Sequence, residues 1–332
     1  MRILAAIMLT CCCSAAQAAT PLGDPSAVEP YLATRERREP GITPGAESAV
    51  HWLTGQPSRT PLAIVYLHGY SATRQEVYPL AEQVASALGA NLFSTRLRGH
   101  GRDGKAMLEG TAAAWQADTR EALAIGHTIG ERVVIISTST GGTLSTWLAD
   151  AEGSASIAAL VMISPNFEAA DKALYLLDWP VVGPLLLWWF REGERSWKPM
   201  NDAQARYWSW HYPWPALVEL TRLMKQVETI DKSRITTPTM MIYSPRDQVV
   251  DPDAVRSAFE QWGAPRKRLV AYERSDDPSQ HVLAGDIVSP RSTVELAQAI
   301  GEFLAQEALP VAAPAATAAA RPLQSGKDGK SM

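Results

Sequence analysis

Residues 133–143 read VVIISTSTGGT. Val133 to Ile136 is an apolar, β-branched run of the kind that forms a strand buried on both faces, and LSTWLADAE, residues 144–152, is compatible with a helix. Between them the backbone must reverse within a few residues, and the small residues there allow it. Ser139 sits at the turn, with Ser137 two residues before it and Gly141 two after. That is the spacing of the strand-to-helix turn G-x-S-x-G, with its first glycine replaced by serine. The reason for the spacing is steric. A serine hydroxyl is a weak nucleophile at neutral pH, and the turn lifts it clear of the sheet, where a base and an oxyanion hole both reach it. Side chains two positions to either side come close together, so only hydrogen, methyl or hydroxymethyl groups fit. Ser139 is the candidate nucleophile. Moving the frame by one residue would put Thr140 in that role between Thr138 and Gly142, a bulkier and chemically less usual set. The alternative without chemistry is a plain strand, turn and helix.

A nucleophile on such a turn is followed along the chain by its acid and then its histidine. Only His211 and His281 lie after Ser139. His211 falls in YWSWHYPW, residues 207–214, part of an aromatic insertion. His281 lies in the polar loop SDDPSQHVLAGD, between the strand-like KRLVAYE and the last amphipathic helix, and is the candidate base. The acid belongs after the preceding strand, and TPTMMIYSPRDQVVDPDAV, residues 237–255, supplies Pro238 to Tyr243 as that strand. Asp247 is the carboxylate closest to its end. From there it accepts the Nδ1 hydrogen of His281 and stabilises the imidazolium. Asp251 reads as a helix N-cap before Pro252, with Asp253 in the first turn. Asp276 and Asp277 lie too near His281 in the chain to be its usual partner.

An oxyanion hole needs two converging donors. LAIVYLHGYSAT, residues 62–73, is a hydrophobic strand ending at His68 and Gly69, followed by the helical RQEVYPLAEQVASALG. The backbone N–H groups of Tyr70 and Thr140 are the candidate donors. The Tyr70 side chain either touches substrate or packs at the mouth of the sheet.

Together HGY at 68–70, RLRGHG at 96–101, the W-x-x-D of Trp115 and Asp118, STSTGG at 137–142, SPRD at 244–247 and QHV at 280–282 resemble the α/β-hydrolase superfamily. Within it the chain is most similar to the carboxylesterase and monoacylglycerol lipase branch, grouped with serine aminopeptidase-like hydrolases. The resemblance spans roughly residues 46–306. It implies hydrolysis through an acyl-enzyme, with Ser139, Asp247 and His281 at the matching positions. It also implies that His68 and His100 are structural. Aspartate stands at this turn in dehalogenases and epoxide hydrolases, so the serine here disfavours their chemistry.

Composition suits a globular enzyme: 332 residues, 46% hydrophobic and 20% charged. A net charge of −4 leaves no electrostatic footprint for nucleic acid. Neither a Cys/His metal cluster nor a Walker loop is present in the sequence, so no cofactor or metal is expected. Residues 1–18 carry Arg2, an apolar stretch from Ile3 to Leu9 and the A-x-A of Ala16, Gln17 and Ala18, the pattern of a signal peptide cleaved after Ala18. Export to a periplasmic or extracellular space is therefore expected. Cys11, Cys12 and Cys13, the three cysteines, all fall in that segment. A lipoprotein anchor on one of them is the competing reading, disfavoured because Met8, Leu9 and Thr10 make a poor lipobox. A membrane span is disfavoured because the apolar run is far shorter than the required ~20 residues.

An N-terminal extension is expected at 19–45, with YLATRERRE as a short helix, and ESAVHWLTG as the first strand. Strands at 62–67, 91–96, 132–137 and 157–164 alternate with helices at 73–88, 112–129 and 141–151. This alternation predicts an α/β fold, a doubly wound, mostly parallel sheet. The core divides into 46–165 and 228–308, and the low-complexity stretch 309–332 reads as a disordered tail. Between them, residues 166–227 break the periodicity and hold seven of the eleven tryptophans, Trp179, Trp188, Trp189, Trp197, Trp208, Trp210 and Trp214. The resemblance implies that this insertion is a helical cap over the site. Its aromatics either pack the cap onto the sheet or line an apolar acyl pocket or lid that meets a lipid surface.

The expected substrate is a carboxylic ester with an apolar acyl group, a small molecule or lipid. Two other readings stand beside it. A peptidase for short peptides would pair the substrate amine with cap carboxylates such as Glu192, Glu194 or Asp202. A non-catalytic lipid-binding protein would leave Ser139 unreactive.

Overall fold

The computed structural model describes residues 23–309. The expected signal peptide and nearly all of the expected tail lie outside the described residues. In chain order the elements are α1 (Val28–Glu36), β1 (Ala49–His51), β2 (Thr60–Leu67), α2 (Leu80–Leu88), β3 (Asn91–Ser94), α3 (Ala112–Ile129), β4 (Gly130–Thr138), α4 (Thr140–Glu152) and β5 (Ala159–Ile163). The insertion follows with α5 (Val182–Trp189), β6 (Glu194–Ser196), α6 (Asp202–Tyr207), β7 (His211–Pro213) and α7 (Ala216–Glu228). The chain then returns to the sheet with β8 (Thr239–Tyr243), α8 (Pro252–Gln261), β9 (Lys267–Ala271) and α9 (Pro290–Glu302).

Seven strands form one sheet in the order β1-β3-β2-β4-β5-β8-β9, parallel throughout except for β1 at its edge. Successive side chains point to opposite faces, and both faces are covered. Ile64, Tyr66, Ile136, Val161 and Ile163 pack under α2 and α9, while Ala63, Val65, Ile135, Leu160 and Met162 pack against α1, α3 and α8. Double burial explains the continuous apolar runs. The register aligns the carboxyl ends: Leu67 lies opposite Ser137, Thr138 opposite Ile163 and Ile163 opposite Ile242. The segments leaving β2, β4, β5 and β8 therefore gather at one edge, where open α/β sheets bind their ligands.

Three features differ from the sequence expectation. The helix expected from 73 begins at Leu80; Arg74–Glu76 forms a separate short 3₁₀ turn. Pro79 lacks the N–H a continuous helix requires and restricts the residue before it. The insertion is helical except for a two-stranded antiparallel ribbon, β6 with β7, whose three-residue strands carry no readable period. Within the N-terminal extension, α1 is part of the core: Val28 and Leu32 are buried, and Arg96, itself buried, donates to Glu36 and Glu39 at 2.8 Å each. Arg35 likewise reaches Asp118 at 2.7 Å. Burial pushes that carboxyl up to about 6 against the pull of Arg35.

The turn from β4 into α4 presses on the end of β2. A methyl at Gly141 would stand 2.2 Å from the Leu67 carbonyl oxygen, backbone that has nowhere to move. Gly301 in α9 is the opposite case, with nothing within 4 Å of the same position. Gly141→Ala is expected to destabilise by about 2 kcal/mol or more. Gly301→Ala should stabilise by about 0.5–1 kcal/mol, because glycine is the poorer helix former. Paired thermal melts check both, and equal shifts would refute the packing argument.

Candidate active site

Ser139 has φ 51° and ψ −116°, a backbone conformation that non-glycine residues rarely adopt. Three neighbours hold it there. Its N–H donates to Ile163 O at 2.9 Å, and its carbonyl accepts from Asn166 N at 3.0 Å and Gly142 N at 2.8 Å. The serine that replaces the first glycine of the turn is accommodated on the opposite side. Ser137 is fully buried, and its hydroxyl donates to Val161 O at 3.3 Å. Helix α4 begins at the next residue, so its positive N-terminal end faces the Ser139 side chain region.

Asp247 follows β8 in a tight turn. Its Oδ1 accepts from Val249 N at 2.8 Å and Val250 N at 3.0 Å, which leaves Oδ2 to meet His281 Nδ1 at 2.8 Å. The fold thus joins the two residues proposed as acid and base, 34 positions apart in sequence. Asp277, set aside as a ring partner, instead shapes the histidine loop: its Oδ2 accepts from His281 N at 3.1 Å and Val282 N at 2.8 Å. Asp276 pairs with Arg291, and Asp251 caps α8 by accepting from Asp253 N at 2.9 Å. Ser139 and His281 are tied through the end of β5 rather than by a direct hydrogen bond: Ser164 Oγ donates to His281 O at 2.8 Å, two residues before Asn166 reaches Ser139.

Burial alone would lower the His281 imidazole. The charge and hydrogen bond of Asp247, with smaller contributions from Glu76 and Asp277, reverse this and raise it above its ordinary value. His68 goes the other way, pushed down to about 4 by burial. It is neutral, donating from Nδ1 to Gly69 O at 2.9 Å and accepting Leu97 N–H at Nε2 at 3.1 Å. It therefore shapes the loop rather than acting on substrate. His100 is likewise buried, and His211 sits on the ribbon, paired with Glu194 at 3.3 Å.

Among the described residues, neither the Tyr70 N–H nor the Thr140 N–H donates to a protein acceptor. The Tyr70 ring packs edge-on against His100, Trp115 and Tyr212. Its hydroxyl is buried without a partner. Trp115 and Asp118 hold the 96–101 loop through the Arg98 backbone, Trp115 Nε1 donating to its carbonyl at 2.9 Å and Asp118 accepting its N–H at 2.6 Å. Glu192, Glu194 and Asp202 are all exposed.

Sequence reasoning missed Glu76. It sits on the 3₁₀ turn before α2, almost fully buried at 2% exposure, and accepts Gly69 N–H at 2.8 Å and Tyr66 O–H at 3.0 Å. An acid three residues after Thr73 looks like an ordinary first-turn helix residue, whereas here it lies on a separate 3₁₀ turn and points inward to Gly69.

The profile of the family described as serine aminopeptidase, S33, matches residues 59–275, about two thirds of the chain. The chain belongs to this family. A thermostable monoacylglycerol lipase from Bacillus sp. (strain H-257) is 27% identical over 215 residues, 65% of this chain and 82% of the lipase. Two solved structures share the fold. A metagenome-derived lipolytic enzyme superposes with TM-score 0.64 at 22% identity, covering 79% of this chain and 98% of its own. The Paleococcus ferrophilus monoacylglycerol lipase superposes with TM-score 0.56 at 16% identity, covering 77% and 97%. The S33-family match contains Ser139, Asp247 and the Tyr70 and Thr140 N–H groups and ends shortly before His281.

The His281–Asp247 pair carries a pH signature. A histidine whose folded value is raised contributes stability in full below its unfolded value, 6.5, and loses it as pH rises through the folded value. The advantage of the parent over Asp247→Asn in urea melts should therefore be full just below pH 6.5 and shrink at higher pH. An advantage that grows with pH would contradict the assignment.

Proposed function

We propose that this lipase/esterase-like α/β hydrolase is an exported serine esterase that cleaves carboxylic esters with an apolar acyl group through an acyl-enzyme. The observation that carries the reading is the left-handed Ser139 at the head of α4, on the same sheet edge as the hydrogen-bonded Asp247 and His281. In the reaction so proposed, Ser139 Oγ attacks the ester carbonyl and passes its proton to His281 Nε2. Asp247 holds Nδ1 and stabilises the imidazolium. The Tyr70 and Thr140 N–H groups receive the oxyanion, each contributing about 3 kcal/mol to transition-state stabilisation. The imidazolium returns the proton to the departing alcohol, and water repeats the cycle to free the acid.

The insertion supports an apolar substrate met at a lipid surface. Trp208 is buried and Trp197, Trp210 and Trp214 are half-buried, whereas Trp179, Trp188 and Trp189 are exposed together with Leu185 and with Val181, which is 81% exposed. Arg191 stacks over Trp188 at 5.1 Å, so a basic residue borders the apolar face. Tryptophan with flanking arginine suits the boundary between lipid headgroups and acyl chains. Among the described residues no helix is long and apolar enough to cross a membrane.

Ser139→Ala should lose p-nitrophenyl ester turnover by roughly 10⁴-fold or more while keeping the parent's melt, and a fluorophosphonate should label the parent and not the variant. Undiminished turnover would overturn the reading. Since His281 must be neutral to take the proton, and its ordinary value of 6.5 is raised, parent activity should fall as pH drops through a point above 6.5. Replacing Trp188 and Trp189 together with serine should lower turnover of emulsified long-chain esters several-fold and spare soluble p-nitrophenyl acetate. Export predicts a mature chain beginning at Ala19, read by intact mass.

A further inference from the structure

Glu76 lies on neither the nucleophile turn nor the histidine loop, yet it packs beside both: a methyl at Gly285, four residues after His281, would stand 2.4 Å from its carbonyl oxygen. Its Oε2 accepts Gly69 N–H at 2.8 Å and Tyr66 O–H at 3.0 Å, and the Tyr66 hydroxyl also meets Thr138 Oγ1, immediately before Ser139, at 3.1 Å. A methyl at Gly69 would stand 2.8 Å from Glu76 Oε1 and 3.1 Å from Ser139 Cβ. The carboxylate and the candidate nucleophile therefore flank the same glycine, with no side chain between them. We propose that Glu76 is a second carboxylate of this site, a positioning residue that fixes the Gly69–Tyr70 peptide and presents negative charge to the His281 imidazole. The inference rests on the serine-hydrolase reading above.

The chemistry favours a role for charge. An acid buried to this degree is expensive to keep unless its neighbours reward ionisation. Burial is the largest influence and leaves the Glu76 carboxyl raised on balance, while Gly69 N–H, His281 and the Tyr66 hydroxyl offset it in part by favouring the ionised form. The charged groups that act on the imidazole are Asp247 from the β8 turn, hydrogen-bonded to the ring, Glu76 from the segment before α2, and Asp277, which accepts the His281 backbone N–H. The titratable groups that act on Glu76 are His281 and Tyr66. When the Ser139 proton reaches His281 Nε2, the new positive charge is stabilised by the hydrogen-bonded Asp247 and, through space, by the Glu76 carboxylate held beside Gly69. The gain appears at that step, not in the ground state, and is thus an effect on kcat more than on KM. Glu76 also occupies the Gly69 N–H, which leaves the next one, on Tyr70, for the oxyanion.

The test uses the full chain. Glu76→Gln keeps the shape and removes the charge. It should lower kcat roughly tenfold or more, leave KM near the parent value, and move the acid limb of the kcat/KM profile to lower pH, because the imidazole has lost a negative neighbour. Glu76→Asp should return the limb toward the parent. Tyr66→Phe removes the hydroxyl that favours the ionised carboxylate and should move the limb the same way by less. Tyr66→Phe decides the matter if Glu76→Gln does not fold. An acid limb unmoved in the folded variants overturns the proposal and leaves Glu76 a structural anchor. Fluorophosphonate labelling of Ser139 in the parent separates this failure from failure of the hydrolase reading itself.

Discussion

The conformation of Ser139 is strained, and the sheet edge is organised around holding it. A left-handed backbone at a non-glycine residue costs on the order of 1–3 kcal/mol and persists only when its surroundings over-determine it. Here the hydrogen bonds to Ile163, Asn166 and Gly142 do so, and the contact of Gly141 with the β2 carbonyl leaves the turn no room to relax. Those constraints come from the ends of β2 and β5, central strands buried on both faces, and from the first turn of α4. The rigidity of the core thus becomes the precision of one side chain.

Buried charge is a second theme. Arg96 lies fully buried between Glu36 and Glu39, and the loop that it leads carries the backbone to which Trp115 and Asp118 bind. Removing one partner of such a set leaves an unpaired buried ion, typically a loss of about 3–5 kcal/mol. The N-terminal helix is thereby committed to the core. Because His100 on this loop packs against Tyr70, the extension supports the Tyr70 ring from behind.

What could be read from the amino acids alone was whatever repeats or follows chain order. Runs such as Val133–Ile136 and Met240–Ile242 announce buried strands, and α3 is found at the expected residues, 112–129. The order of serine, acid and histidine singled out Asp247 and His281, which the fold brings to hydrogen-bond distance. What stayed hidden depends on tertiary neighbours. Glu76 has the local signature of a helix start, whereas in the fold it lies on a separate 3₁₀ turn and points inward to Gly69. The ribbon of β6 and β7 is too short for a period, and the pairing of Arg96 with Glu36 joins residues 60 positions apart. Tryptophan enrichment marked the insertion but did not separate packed rings from exposed ones.

The two flanks of the Ser139 turn are not equivalent in space. Toward β2 no atom beyond hydrogen fits at Gly141, whereas toward β5 a hydroxymethyl group fits at Ser137 and finds a carbonyl acceptor. A written motif treats its two glycines as equal letters, but only one of them is compelled by volume. Pattern searches that demand both will pass over chains like this one while the geometry the pattern stands for is intact.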